Sequence, residues 1–322
     1  MRSRMLIAQS ASMFITTVLL AGPSLAQTVP SAGQQAAQSA QGNGSPQSQP
    51  TVGPTHAWEL PALLVPGEAK PQLREEDRIG TYGQPRWTAS RRFPTTRVYV
   101  IPEGKAEVEW WMRYSFPVAN ATSQREVRNY YEVGYGLGHR LQFDFYVVTE
   151  QKGHGENAKI ELLREQVELR YALADWGKLW GNPTLYVEWQ RRNGGHDWVE
   201  GKVLIGGGLG PGWHGGLNLV LEKELGGPVW EHEYQVTTGL SKTIVDETFH
   251  LGVEGYAEVH DLNGARFEFK NQERLFLAGP SFMVNPIPPM RILFVPLVGA
   301  GGGAQESAKT VMRLWFVTGW TF

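Results

Sequence analysis

The 322-residue sequence contains no cysteine, so a disulfide scaffold, a thiolate metal centre and a cysteine nucleophile are excluded. Its net charge is only −2. That removes the basic field on which nucleic-acid binding depends, and no nucleic-acid partner is expected. Past the amino end, no stretch approaches the roughly 18 consecutive apolar residues a transmembrane helix requires. This absence excludes a helical span but not a crossing by strands, because a barrel strand is apolar on one face only.

The amino end carries an export pattern. Arg2 and Arg4 precede the apolar stretch "MFITTVLLAG" (13–22), and Ser24-Leu25-Ala26 sets small residues before Gln27. Residues 1–26 therefore read as a secretory signal peptide. Residues 27–55 are rich in Gln, Ser, Ala, Gly and Pro and have no aromatic residue, the composition of a disordered linker. Residues 56–104 differ. "HAWELPALLVPGEAKPQL" and "RWTASRRFPTTRVYVIP" are too apolar for a linker and too proline-broken for long helices. They predict an irregular periplasmic segment that serves as a plug or docking arm, or that engages a periplasmic partner.

From Lys105 the pattern acquires a period of two, the signature of strands. In "KAEVEWWMRYSFP", Ala106, Val108, Trp110, Met112, Tyr114 and Phe116 share one face, and Glu107, Glu109, Trp111, Arg113 and Ser115 the other. The alternation recurs to the end of the chain, giving twelve candidate strands joined by Gly-, Asn-, Pro- and Asp-rich turns. Two of them, 275–284 and 291–300, read as apolar throughout. An even number of ten-residue alternating segments predicts a closed antiparallel transmembrane β-barrel over 105–322, placed by its signal peptide in a bacterial outer membrane. Trp176, Trp180, Trp213 and Trp320 fall at one set of strand ends, and Trp198 and Trp230 at the other, as two interfacial girdles would. The final strand carries Phe316, Trp320 and Phe322 on its lipid face, an aromatic terminus of the kind barrel-assembly machinery reads.

If the apolar face meets lipid, the charged face lines the lumen. The inward set then includes Glu107, Glu109, Glu126, Glu132, Asp144, Glu150, Glu168, Glu188, Glu200, Glu222, Glu233, Glu254 and Glu258. Arg113, Arg128, Arg164, Arg170, Lys202 and Arg313 oppose them and are outnumbered. Buried carboxylates need partners or water, and Arg91, Arg92 and Arg97, just ahead of the first strand, are candidates to enter and supply them. A lumen with surplus carboxylate is expected to favour cations.

The strand–turn–strand "YYEVGYGLGHRLQFDFYV" (130–147) and "FLAGPSF" (276–282) resemble a family of bacterial outer-membrane proteins named after the meta-pathway of phenol degradation and described as transporters. That family has a GLT-D-R-type turn; here Gly136-Leu137-Gly138-His139-Arg140 stands in its place, without the Asp. The resemblance spans 105–322. It implies a transport role and brings no catalytic residues.

Enzymatic readings find little footing. No His-x-Ser spacing suits a lipid hydrolase. His250, Glu254, Glu258 and His260 share a face, but spacings of four and six along a strand are about 13 to 20 Å, too far for one ion. No catalytic residue, metal or cofactor is expected. The expectation is a monomeric channel or transporter component that passes small solutes. The alternatives are a non-conducting barrel that anchors a partner and a lipid-modifying barrel.

Overall fold

The computed structural model describes residues 72–118, 125–152, 158–227, 230–261, 272–303 and 309–322. The expected signal peptide, the linker and the first part of the 56–104 segment lie outside them. The chain divides into two units, Met1–Glu68 and Ala69–Phe322, and every described residue belongs to the second.

That unit is a closed twelve-stranded antiparallel barrel preceded by an arm. The arm holds two short 3-10 turns, Arg74–Glu76 and Arg86–Thr88, and a minimal ladder of β1 (Arg78–Ile79) and β2 (Gln84–Pro85). The barrel strands are β3 (Ala106–Pro117), β4 (Glu126–Gly138), β5 (Leu141–Lys152), β6 (Lys159–Ala172), β7 (Thr184–Arg192) and β8 (Asp197–Gly210). They continue as β9 (Trp213–Leu225), β10 (His232–Val245), β11 (Phe249–Asp261), β12 (Gln272–Ile287), β13 (Met290–Gly302) and β14 (Lys309–Thr321). Each pairs with its sequence neighbour, and β14 closes on β3 in a register running from Val311↔Pro117 to Thr321↔Glu107. The terminal residue completes the seam: the Phe322 N–H donates to the Ala106 carbonyl at 2.8 Å, and the Ala106 N–H to Phe322 O at 3.3 Å. Closure leaves no edge strand to pair with another chain.

The period-two pattern decides which side chain faces where. Val133, Val253 and Phe276 are more than half exposed on the outer surface, whereas Glu107, Glu109, Glu132, Asp144 and Glu168 are buried inside. An apolar band around the whole circumference is far larger than the patches a soluble monomer exposes, and it matches a lipid surround.

One wall departs from the expected charged lumen. The apolar runs of β12 and β13 turn apolar residues inward as well: Leu277, Leu293, Val295 and Leu297 are fully buried, as is Val317 of β14. They pack with Trp111, Tyr130, Tyr146, Tyr256 and Trp315 into a hydrophobic core inside the barrel. A barrel of this size has room for side chains to fill part of its interior, which is why these strands read as apolar on both faces.

Two measurements check this account. The purified protein is expected to migrate on SDS gels as a compact band that shifts only after boiling; identical mobility with and without heating contradicts closure. Phe322→Asp places a charge at the exposed end of the β14–β3 seam and is expected to lower the amount of protein assembled in the outer membrane, measured by quantitative blot. Unchanged levels would show that the terminal aromatic residue is no assembly signal.

Candidate functional site

The site is the barrel lumen, and the arm occupies its base, the end at which Ala106 begins β3 and β14 finishes. The walls there are cut away by glycine, which lets the arm's backbone and side chains approach the strands. A Cβ on Gly239 would fall 2.6 Å from the Phe93 ring, one on Gly216 2.5 Å from Val98, and one on Gly136 would collide with the Pro102 carbonyl. The main chain is tied in as well. Thr95 N–H donates to Glu254 at 3.0 Å, and Ile101 N–H to the Gln142 side chain at 2.6 Å. Tyr99 and Trp87 pack against Trp176.

Charged contacts also fix the arm's position. Arg97 forms a two-pronged contact with Glu107, at 3.2 and 3.0 Å. Arg91 donates to Glu109 at 2.9 Å and to Glu132 at 3.4 Å, with its guanidinium 3.9 Å from the Trp111 ring centroid. Arg291, on β13, reaches both glutamates of β3: it contacts Glu107, and its Nη2 donates to Glu109 at 2.7 Å. Three guanidiniums thus meet Glu107, Glu109 and Glu132, all nearly inaccessible to solvent. Buried charges persist only when paired in this way.

A second cluster holds the front of the arm. Glu75 accepts from Arg92 at 3.0 Å, from the Thr243 hydroxyl at 2.5 Å and contacts His214 Nε2 at 3.1 Å. Arg92 also touches His250 Nδ1 at 2.7 Å, and Trp87 stacks on His214 at 4.1 Å. Burial pushes the Glu75 carboxyl up, but the His214 hydrogen bond, the Arg92 charge and Thr243 outweigh it and hold the group at about 2. Glu75, Glu76 and His214 bring three potential metal-ligand atoms within 4.8 Å of one another; Arg92 already supplies the positive charge at that point.

The remaining predicted lumen residues form a separate system. Asp144, Glu168, Glu188, Glu200, Glu222 and Glu233 are successive register partners from β5 to β10, so this carboxylate ladder winds from the base towards the opposite end, the mouth. Its lower rungs are satisfied by neighbours: Asp144 by the Gln142 amide at 2.7 Å, Glu168 by Arg170 and by the Tyr146 hydroxyl at 2.7 Å, and Glu188 by Tyr186 and Gln166. Near the mouth, Arg113 pairs with Glu126, and Arg128 lies 2.9 Å from Glu126 and 3.0 Å from Glu150. Glu258 accepts from Tyr256. Above the arm remains a cavity of about 400 Å3, floored by Arg91, Pro94, Thr95 and Arg97.

The structure corrects two expectations and narrows a third. The surplus of inward carboxylates is smaller than expected, because Arg192 and Arg291 also face inward and Arg91, Arg92 and Arg97 enter from the arm, Arg92 together with Glu75. Arg192 shares the parity of Glu188 and Gln190 and was visible in the alternation, whereas Arg291, of the parity of Leu293 and Val295, heads a run that is apolar on both faces. Trp198 belongs to no girdle: it is buried in the lumen, 4.0 Å from the Arg192 guanidinium. Trp176 likewise packs on the arm, while Trp180, Trp213, Trp230 and Trp320 are exposed. Phe316 packs on Trp110 outside the barrel, their ring centroids 5.7 Å apart.

No family model matches this chain, and no curated protein matches it. Among solved structures, it is similar to an outer-membrane channel from Pseudomonas putida F1, at 11% identity and a TM-score of 0.48 over 70% of this chain and 98% of that one. It is also similar to the translocator domain of the autotransporter NalP from Neisseria meningitidis, at 13% identity and a TM-score of 0.36 over 68% of this chain and 88% of that one. A third likeness is to the outer-membrane channel DcaP of Acinetobacter baumannii, at 9% identity and a TM-score of 0.33, covering 68% and 96%.

Proposed function

We propose that this protein is an outer-membrane channel for small solutes whose arm, residues 74–102, is a gate closing the periplasmic half of the lumen. One observation carries the reading. The arm contributes no strand to the barrel wall, yet it fills the base, with Arg91 and Arg97 set on wall carboxylates and the Arg92–Glu75 pair on wall His250, His214 and Thr243, beneath a polar cavity that a solute can occupy. Four of the five strand connections at the end that carries the arm are only two or three residues long, the exception being 173–183, as on the periplasmic side of outer-membrane barrels. A catalytic role gains no support from Thr243, which lies 3.1 Å from His250 Nδ1, because both side chains are buried beneath the arm.

A tether tests the gate. The chain has no cysteine of its own, and the Val98–Gly216 approach brings the two Cβ atoms within disulfide reach. In planar bilayers, Val98→Cys/Gly216→Cys is expected to be silent when oxidised and to conduct like the wild type after reduction. Equal conductance in both states would show that the arm does not gate. A wild type that never conducts would favour a scaffold.

The latch should also respond to acid. Glu75 is held at about 2 in the folded arm, against 4.5 ordinarily. Its contribution is therefore complete above pH 4.5 and is lost as pH falls from there towards 2. Open probability is expected to be flat from pH 7 to 5 and to rise below 4.5. Glu75→Gln should be more open than wild type at pH 7 and lose this rise; a Glu75→Gln protein with the wild-type pH profile would contradict the latch.

A further inference from the structure

The cavity above the arm is lined by opposite charges that do not meet. Arg164 of β6 and Arg192 of β7 are register partners, and both face the cavity. Neither has a hydrogen-bond partner or a carboxylate within 4.0 Å among the described residues, and the Nε of each is buried and unsatisfied. Their only close neighbours of note are aromatic: Trp198 lies 4.0 Å from the Arg192 guanidinium, and Tyr130 6.0 Å from that of Arg164. Arg113 and Arg128, by contrast, are already neutralised by Glu126 and Glu150. Like charges directly across a strand pair cost stability, and two adjacent planar guanidiniums without partners form a donor array matched to a carboxylate.

The neighbouring arc of the cavity wall, separated from the arginines by β8 alone, is the counterpart. Glu222 of β9 and Glu233 of β10 are also register partners and face the same space. Both accept from the Gln235 side-chain amide, at 3.0 Å for Glu222, and Glu258 beside them accepts from Tyr256. These donors are neutral, and no cation lies within 4.0 Å of these glutamates among the described residues. Trp198 of β8 and His260 of β11 flank these two strands, with ring centroids 6.1 Å apart, and both line the same cavity.

A simple anion would satisfy the arginines and face the glutamates; a simple cation would do the reverse. A solute carrying both charges satisfies both walls. We propose that this cavity binds a small zwitterion of the free amino-acid class, its carboxylate on Arg164 and Arg192 and its ammonium towards Glu222 and Glu233. The assignment rests on the lumen being a solute path, and it specifies the solute.

Titration calorimetry on the detergent-purified full chain at low salt tests it, with L-glutamine, propionate and propylammonium as the three probes. Glutamine is expected to bind at least tenfold more tightly than either single-charge probe. Arg164→Gln/Arg192→Gln should weaken glutamine at least tenfold and remove propionate binding, leaving propylammonium. Glu222→Gln/Glu233→Gln should weaken glutamine and remove propylammonium binding. The heat shift on SDS gels verifies that each variant is folded; should one fail it, the three-probe comparison on wild type decides alone. Glutamine binding no tighter than propionate, or wild-type affinity in both folded double variants, overturns the proposal. Binding is read in the closed protein. Glutamine binding without any conductance would therefore overturn the channel and leave the site standing, and conductance without glutamine selectivity would do the opposite.

Discussion

The structure depends on a buried exchange of charge between the arm and the first two barrel strands. Glu107, Glu109 and Glu132 sit where almost no solvent reaches, and on their own they would be prohibitive. Arg91 and Arg97 from the arm and Arg291 from β13 make the arrangement tolerable. The dependence runs both ways, since the arm's arginines are equally buried and equally in need of the glutamates. Removing one member of such a set costs about 3–5 kcal/mol, which is why the arm and the barrel base form one unit. The glycines of β4, β8, β9 and β10 are the steric side of the same fit, since any side chain at Gly136, Gly216 or Gly239 would meet the arm.

Above this level the lumen is organised by asymmetry. The β12–β14 wall is apolar and packs its own core, with Trp111, Tyr130 and Trp315 at its centre. The rest of the circumference carries the carboxylate ladder from Asp144 to Glu233, paired with Arg170 at Glu168 and hydrogen-bonded by Tyr146 and Gln142 at its lower rungs. Towards the mouth some charges pair, as Arg113 and Arg128 do with Glu126 and Glu150, and others do not. Arg164 and Arg192 on one side and Glu222 and Glu233 on the other are left with neutral or aromatic neighbours.

The barrel itself was legible in the sequence because a half-buried strand must alternate. Glu107, Glu109 and Trp111 face one way and Val108, Trp110 and Met112 the other for no reason but the pleat. The same rule failed for β12 and β13, where an internal core made both faces apolar and concealed Arg291 inside an apolar run. Trp198 was misplaced because a strand-end tryptophan looks alike whether it faces lipid or lumen, and only its parity with Glu200 separates the two. The arm's entry was foreshadowed by the uncompensated glutamates. Its contacts were not readable, because Glu75 meets His214 and Arg92 meets His250 across separations of 139 and 158 residues, with no local pattern to announce them.

The central claim is that the arm sits inside the barrel, tied to the wall by side chains. Hydrogen exchange of the full-length protein in detergent micelles reads this most directly at two amides, Thr95 and Ile101, whose only protectors are Glu254 and Gln142 of the wall. Both are expected to exchange at least about a hundredfold more slowly than an unfolded chain, as locally closed structure requires. Exchange at both amides as fast as in an unfolded chain would contradict the account.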